Sequence, residues 1–410
     1  MHIAFFSDQH PGTLGGLQVS LGTQRKHLEL RGHTVTVCAP DSRRVPTPEY
    51  GRPGDVLLSS QQVGAHSFSL AGERFDRVID AAFARKPAVD IVHVQADVWG
   101  AWNGYRFARR HGLPVVHTMH TNIAVGLPAI LPFPRAATRL LFAAQQRYLA
   151  SGPVRTLADY TRAFAERADL LIAPSAHFAG RLSHSGAEGT IHVLPTGVDD
   201  EIVGEVCASP RTPGPRARLV WPGRLSPEKQ LTTFLAALAG AQVDADVHVY
   251  GSGSDLHRGK RLAESLGIAD QLTFHGAVRH REVLQAMRDA DAVVLSSLGY
   301  ETQGLTAFEA VSLGTPVILR DPEVSRELPH ALRHTAADTS VAAFASAIAD
   351  FVRGLAAAGG AERVYPRPSD AFLQSSLTER AEGLYALARS RHRRAAVAGA
   401  QARGSARRAA

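Results

Sequence analysis

The run Ala292-Val293-Val294-Leu295-Ser296, followed after four residues by Glu301-Thr302-Gln303-Gly304-Leu305-Thr306-Ala307-Phe308-Glu309, decides the fold. Its first five residues are short, apolar and Val-rich, which predicts a parallel strand buried on both faces. Gly304 and Thr306 would open a helix through Phe308, Glu309 and Val311, with Glu301 on the loop before it. Strand, loop and helix make half of a βαβ unit, and in such sheets ligands sit at the carboxyl ends of the strands. Free N–H groups at the helix start near Gly304 form a ready site for a phosphate. Two carboxylates straddling an anion site suit hydroxyl recognition, one for a ribose and one for a sugar.

The same alternation extends along the whole chain. Short apolar runs fall at 2–7, 34–39, 90–94, 114–118, 170–173 and 191–194, then at 219–221, 247–250, 272–274, 292–296 and 316–319, with amphipathic stretches between them. This predicts a doubly wound α/β architecture. A chain of 410 residues exceeds one ordinary core, so two domains are expected. Residues 204–217, rich in Pro and Gly and without periodicity, read as the linker between domains at 1–203 and 218–369. A last helix is expected over 370–391, with Ser369 or Asp370 as its N-cap.

The composition, 45% hydrophobic and 20% charged, is that of a soluble globular protein. Seven arginines and no acid lie between Arg389 and Ala410, so this tail carries the whole formal charge of +7. Such a tail, expected to be disordered over 392–410, suits an anionic membrane surface or nucleic acid, or is simply solvated. Cys38 and Cys207, without metal-ligand spacing, argue for a reducing compartment. The first residues lack the basic region of a signal peptide, and no run reaches the roughly 18 apolar residues of a membrane span. A cytoplasmic location is expected.

Four further loops follow strand ends. Asp8-Gln9-His10-Pro11-Gly12-Thr13-Leu14-Gly15-Gly16-Leu17 would let backbone N–H groups approach an anion at Gly15 and Gly16, but alone it equally describes a tight turn. Arg224 and Lys229, just past the run 219–221, can reach a diphosphate, although such a pair alone is more often a solvated face. Gly251 and Gly253 permit close approach of a nucleotide, or only a turn. His117 and His120 end a strand where histidines serve catalysis or sugar contacts. They do not suggest a metal, because strand geometry sends them to opposite faces. Asp244 with Asp246 and Asp289 with Asp291 lie at strand entrances and read as structural.

With these residues in place the chain resembles the retaining GT-B glycosyltransferases of family 4, which include bacterial diacylglycerol glucosyltransferases and phosphatidylinositol mannosyltransferases. The matching segments run in the family's order. They are the Gly15-Gly16 loop, 31–37 (RGHTVTV), 116–121 (VHTMHT), 168–175 (ADLLIAPS), 194–199 (LPTGVD), 223–229 (GRLSPEK) and 301–309 (ETQGLTAFE). The resemblance implies two Rossmann-like domains facing across a cleft. It assigns Glu301 to the donor hexose, Glu309 to its ribose, and Arg224 and Lys229 to its diphosphate. Gly16 would touch that diphosphate through its backbone, backbone N–H groups of Gln303, Gly304 and Leu305 would hold the donor, and His120 would stand beside the hexose.

The implied reaction passes a hexose from UDP-glucose or GDP-mannose through an oxocarbenium-like state, with retention of configuration. Arg224, Lys229 and the helix start would stabilise the leaving diphosphate, so neither metal nor cofactor is expected. The wording of HTMHT and ETQGL is closest to the diacylglycerol branch. The apolar segment 124–134, followed by Arg135, Arg139 and Arg147 beside Leu140, Leu141, Phe142 and Tyr148, would suit a membrane face and a lipid acceptor, or a core-packed helix. Nucleic acid is not an expected partner. The rivals are a transferase acting on a soluble acceptor, a nucleotide-sugar 2-epimerase and a non-enzymatic nucleotide-binding scaffold.

Overall fold

The computed structural model describes residues 1–13, 15–43, 45, 50–63, 66–123, 134–211, 214–357 and 365–409. The chain forms two compact units, Met1–Thr196 with Leu377–Ala410, and Gly197–Ser376. It therefore passes between them twice, and Val198 and Leu373, one from each passage, pair as an isolated parallel bridge.

The first unit contains β1 (His2–Ser7), β2 (Thr34–Pro40), β3 (Val56–Leu58), β4 (Gln61–Val63), β5 (His66–Phe68), β6 (Ile91–Gln95), β7 (Val115–Thr118), β8 (Leu170–Ala173) and β9 (Ile191–Val193). Seven of these form a sheet in the order β3-β2-β1-β6-β7-β8-β9, parallel throughout. β4 and β5 make a separate antiparallel hairpin. The second unit contains β10 (Ala217–Pro222), β11 (Ala245–Tyr250), β12 (Leu272–Gly276), β13 (Ala292–Leu295), β14 (Val317–Leu319) and β15 (Arg333–Thr335). These form one parallel sheet in the order β12-β11-β10-β13-β14-β15.

Every strand expected from the sequence is present. β3, β4, β5 and β15, each of three residues, were not expected. Both faces of each sheet are covered. Along β1, Ala4 and Phe6 enter one core while Ile3 and Phe5 enter another. Along β10, Leu219 and Trp221 face one core and Val220 the opposite one. A strand apolar on both faces needs helices on both faces, which is why these runs do not alternate with polar residues.

The strand order reverses between β1 and β6 in the first unit and between β10 and β13 in the second. At each reversal the connecting helices leave to opposite sides and open a crevice at the carboxyl ends, the place where ligands bind in such sheets.

Two boundaries differ from expectation. The units part at residues 196 and 197, ahead of the expected linker at 204–217, because Asp199 caps the helix Asp200–Cys207, whose Val203 and Val206 pack into the second unit's core. The last helix, expected to end at 391 and give way to a disordered tail, runs Gln374–Ala409. Its later part is built from Ala and Arg, both strong helix formers. This helix lays Leu377, Ala381, Tyr385 and Ala388 against Phe5, Val116 and Ile172 of the first unit's sheet. Tyr385 Oη lies 2.8 Å from His93 Nδ1. Glu382 accepts from Arg31 at 2.7 Å and lies 2.8 Å from His33, and the Arg31 hydrogen bond, more than the His33 contact, depresses its pKa to about 2. Among the described residues no helix is long and apolar enough to cross a membrane.

A chain ending at Arg394 keeps all of these contacts and should melt within about 2 °C of the full chain. One ending at Ser376 uncovers a face of the first sheet and should lose at least about 10 °C or fail to fold, as thermal unfolding would show.

Candidate active site

In the second unit the loops leaving β10 and β13 meet at the strand-order reversal. Ser296, just past β13, ties them together: its hydroxyl accepts from Trp221 Nε1 at 2.9 Å and donates to the Lys229 carbonyl at 2.8 Å. This holds Lys229, the last residue of the 3-10 turn Pro227–Lys229, with its Nζ 2.6 Å from Glu301 Oε1. Ser297 Oγ donates to the same carboxylate oxygen at 2.8 Å. The Lys229 and Glu301 side chains are only 24% and 11% exposed, so the pair is largely withdrawn from solvent. Arg224 stands apart. Its guanidinium is 61% exposed and 3.9 Å from Glu228, leaving its planar fork facing solvent.

The helix Leu305–Ser312 begins beside Glu301. Gly304 at its N-cap adopts φ +81°, a left-handed angle that disfavours a side chain, and a Cβ there would come within 3.0 Å of Val324 Cγ1. Gly304 has no side chain to cap this helix, and Ala307 N donates to the Gly304 carbonyl at 2.8 Å, so among the described residues the N–H groups of Leu305 and Thr306 are those left to a ligand or solvent. Gln303 is buried just ahead of the turn, and Leu305 is the first helical residue. Glu309, on the second turn, is also buried, with Oε1 2.7 Å from His280 Nε2. The structure thus brings Lys229, Glu301, Gln303, Gly304, Leu305 and Glu309 into one unit around one helix start.

Gly251 needs no ligand to explain it. At φ +128°, a Cβ on it would fall 1.8 Å from the Gly223 carbonyl oxygen, so the glycine is required for the loops after β10 and β11 to pack.

In the first unit two carboxylates, half-buried Asp8 and buried Asp97, organise the strand ends. Asp8, after β1, accepts from Asp97 N at 2.7 Å, Val98 N at 3.0 Å and Gly100 N at 2.8 Å, capping the helix Trp99–His111. Asp97, after β6, accepts from His120 N at 3.1 Å and Thr121 N at 2.8 Å. Tyr160 Oη donates to the Asp97 carbonyl at 2.5 Å. His120 therefore sits on a turn fixed by Asp97. Its Nε2 is buried without a hydrogen-bond partner among the described residues, and burial pulls its pKa down to about 4, so the ring is neutral at pH 7. An orphaned ring nitrogen at a strand end is a position a ligand could complete.

His117 belongs to the core instead, 3.0 Å from Tyr105 Oη and 2.7 Å from the Ala96 carbonyl. Gly15 and Gly16 stand at the start of the helix Gly16–Leu30, without a side-chain cap, and a Cβ on Gly16 would meet nothing within 4 Å. Their adjoining Leu14 lies outside the described residues. The paired aspartates are committed elsewhere: Asp244 and Asp246 pair with Arg216, and Asp291 accepts from Arg218 N and Tyr365 Oη, each at 2.7 Å. Of the apolar segment 124–134, residues 124–133 lie outside the described residues. The helix Pro134–Leu149 that follows buries Leu141, Phe142 and Leu149 and exposes Arg135, Arg139 and Arg147, with Leu140 72% exposed.

Sequence reasoning missed Asp97, Ser297 and His280. Asp97 and Ser297 follow strand ends and could have been found by the same rule that found Lys229 and Glu301. His280 opens a helix away from any motif and carried no such signal.

Burial, and secondarily the charge of Asp8, raise the Asp97 pKa to about 7 against the backbone N–H donors that lower it. The folded chain thus keeps a proton that the unfolded chain releases near pH 4, so ionising Asp97 costs stability progressively between those values. Asp97→Asn keeps an acceptor for both N–H groups. Its unfolding free energy should rise relative to the parent as pH goes from about 4 to about 8, whereas a pH-independent difference would contradict this assignment.

Comparison with known proteins places these features in a family. The model for Glycosyltransferase Family 4 matches residues 14–202, and that for Glycosyl transferases group 1 matches residues 208–354. An alpha-monoglucosyldiacylglycerol synthase of Streptococcus pneumoniae is 26% identical over 334 residues, covering 78% of this chain and 70% of that protein. A D-inositol 3-phosphate glycosyltransferase of an Arthrobacter species is 30% identical over 341 residues, covering 78% of this chain and 76% of that protein. Among solved structures, Anabaena HepE in complex with UDP superposes with a TM-score of 0.62 at 15% identity, covering 98% of this chain and 100% of that one. Two adjoining family models, a relative at this identity and coverage, and a shared pair of parallel-sheet units together show that the chain belongs to the family 4 glycosyltransferases of the GT-B fold.

Proposed function

We propose that the chain transfers a hexose, glucose or mannose, from a UDP or GDP sugar to a hydroxyl of a membrane lipid such as diacylglycerol. The observation that carries the donor half is the Lys229–Glu301 pair beside the uncapped helix start at Gly304. In this reading Lys229 and Arg224 meet the diphosphate, with the N–H groups of Gln303, Gly304 and Leu305 and the backbone at Gly15 and Gly16. Glu301 takes hexose hydroxyls, Glu309 the ribose, and His120 the hexose through its unpartnered Nε2. The bond from the sugar's anomeric carbon to the phosphate oxygen breaks, and one to the acceptor oxygen forms on the same face. The acceptor's proton passes to the departing diphosphate. Charge grows on that diphosphate, where the cations and helix N–H groups stabilise it.

Two observations support the lipid acceptor: the likeness to a monoglucosyldiacylglycerol synthase, and exposed Leu140 among the exposed arginines of the helix Pro134–Leu149. Such a face would place the protein peripherally on the inner side of the membrane. A soluble acceptor is the second reading. It is favoured by the 30% identity to a D-inositol 3-phosphate glycosyltransferase and by the burial of Leu141 and Phe142.

The deciding experiment supplies UDP-glucose, UDP-galactose, UDP-GlcNAc and GDP-mannose, with and without anionic liposomes containing diacylglycerol, and reads nucleotide release and lipid mass. Lipid-dependent release with a hexose added to diacylglycerol supports the proposal. Release without a lipid product moves the acceptor to the soluble pool. With the donor so identified, Glu301→Ala and His120→Ala should each lower turnover at least ~100-fold, of order 3 kcal/mol of transition-state stabilisation, without loss of fold. A nucleotide-binding scaffold would tolerate both changes.

A further inference from the structure

His280 opens the helix His280–Asp289 and is the one side-chain partner of Glu309 among the described residues. Glu309 is buried, whereas the imidazole is 34% exposed, so the pair sits at the edge of the core with its acidic member inside. The cations flanking His280 in sequence are engaged elsewhere: Arg279 donates to Glu282 at 2.6 and 2.9 Å, and Arg281 to Glu205 at 2.9 Å. Besides Glu309, the charge acting on the ring is that of Asp199, the N-cap of Asp200–Cys207. Burial opposes protonation of His280. The Glu309 charge, its hydrogen bond and Asp199 outweigh burial, so the pKa is raised above its ordinary value. A carboxylate has two oxygens. With Oε1 engaged by the ring, Oε2 keeps its full acceptor capacity, and the Oε1 contact restrains the carboxylate from turning.

We propose that His280 is a positioning residue that makes the site selective for ribonucleotides, by holding the Glu309 carboxylate so that its second oxygen accepts from the ribose diol of a nucleoside diphosphate. This rests on the reading of Glu309 as the ribose contact. A buried acceptor discriminates strongly against a sugar that lacks the matching hydroxyl only if it cannot turn away to find another donor. His280 removes that freedom.

The test measures calorimetric affinities of UDP, GDP and their 2′-deoxy and 3′-deoxy forms for the full chain and its variants. The parent should prefer the better ribonucleotide over at least one deoxy form by about 10-fold or more, the worth of a hydrogen bond to a charged group. His280→Ala, at a first-turn position about one-third exposed, should reduce that preference to about 3-fold or less by weakening the ribonucleotide while leaving the deoxy form nearly unchanged. His280→Leu, which fills the volume without a donor, should behave alike. His280→Gln, whose amide can still donate to Oε1, should restore most of the preference, a rescue that a merely structural role would not produce. Unaltered discrimination in His280→Ala or His280→Leu, alongside its loss in Glu309→Ala, overturns the role of His280 and leaves the ribose reading standing. Discrimination that survives Glu309→Ala, or no affinity of the parent for either nucleotide, overturns the ribose reading and this proposal with it.

Discussion

The contact on which the second unit's site depends is the ion pair between Lys229 and Glu301. The more buried member, Glu301, depends on its partner. A carboxylate only 11% exposed would face a desolvation cost of several kcal/mol without a partner, and removing Lys229 would leave that cost uncompensated. The pair is supported from both sides, by Ser297 on the carboxylate and by Ser296 on the lysine's own carbonyl. Since Ser296 and Ser297 follow β13 while Lys229 follows β10, the pair also sets how the two loops leave their strands. The helix start at Gly304 falls beside it for that reason. The result is a cation, a carboxylate and uncapped N–H groups fixed in place before any ligand arrives, the condition under which electrostatic stabilisation is most effective.

The first unit solves the same problem with acids alone. Asp8, half-buried, and Asp97, buried, stand at the ends of β1 and β6, and each accepts from backbone N–H groups rather than from a cation. Burial raises the pKa of both, Asp8 to about 6. Carboxylates placed at such cost hold something in position. Asp8 caps the helix that follows β6, and Asp97 holds the turn carrying His120. The neutral, unsatisfied His120 ring is thus presented by a rigid scaffold and not by a loose loop.

The sheets were legible because a strand buried on both faces leaves an unbroken apolar run, as at 2–7 and 292–296. The positions of Lys229, Glu301 and Glu309 were legible because polar residues just past such runs stand at the crevice by topology alone. What the sequence hid has physical reasons. The passage between units falls at Pro195-Thr196-Gly197, but the longer Pro- and Gly-rich run at 204–217 draws the boundary away from it, and the core contacts of Val203 and Val206 that decide the matter carry no local signal. The arginine-rich end of the chain reads as a tail because its charge is conspicuous, yet its Ala and Arg favour a helix that is anchored upstream by Tyr385 and Glu382. Gly251 resembles a ligand-binding glycine, but the contact that requires it is with Gly223. The pairing of His280 with Glu309 joins residues far apart in sequence across two helices, and no local pattern encodes it.

The most direct test of the account is amide hydrogen exchange over residues 303–306, measured with and without saturating UDP or GDP. If a nucleoside diphosphate rests on the helix start beside Lys229, these amides should slow by about tenfold or more on binding, because the ligand then holds N–H groups at a helix start whose N-cap, Gly304, has no side chain to hold them. Saturable nucleotide binding that leaves the exchange of 303–306 unchanged, with protection elsewhere, would contradict the placement of the anion site and the roles that follow from it.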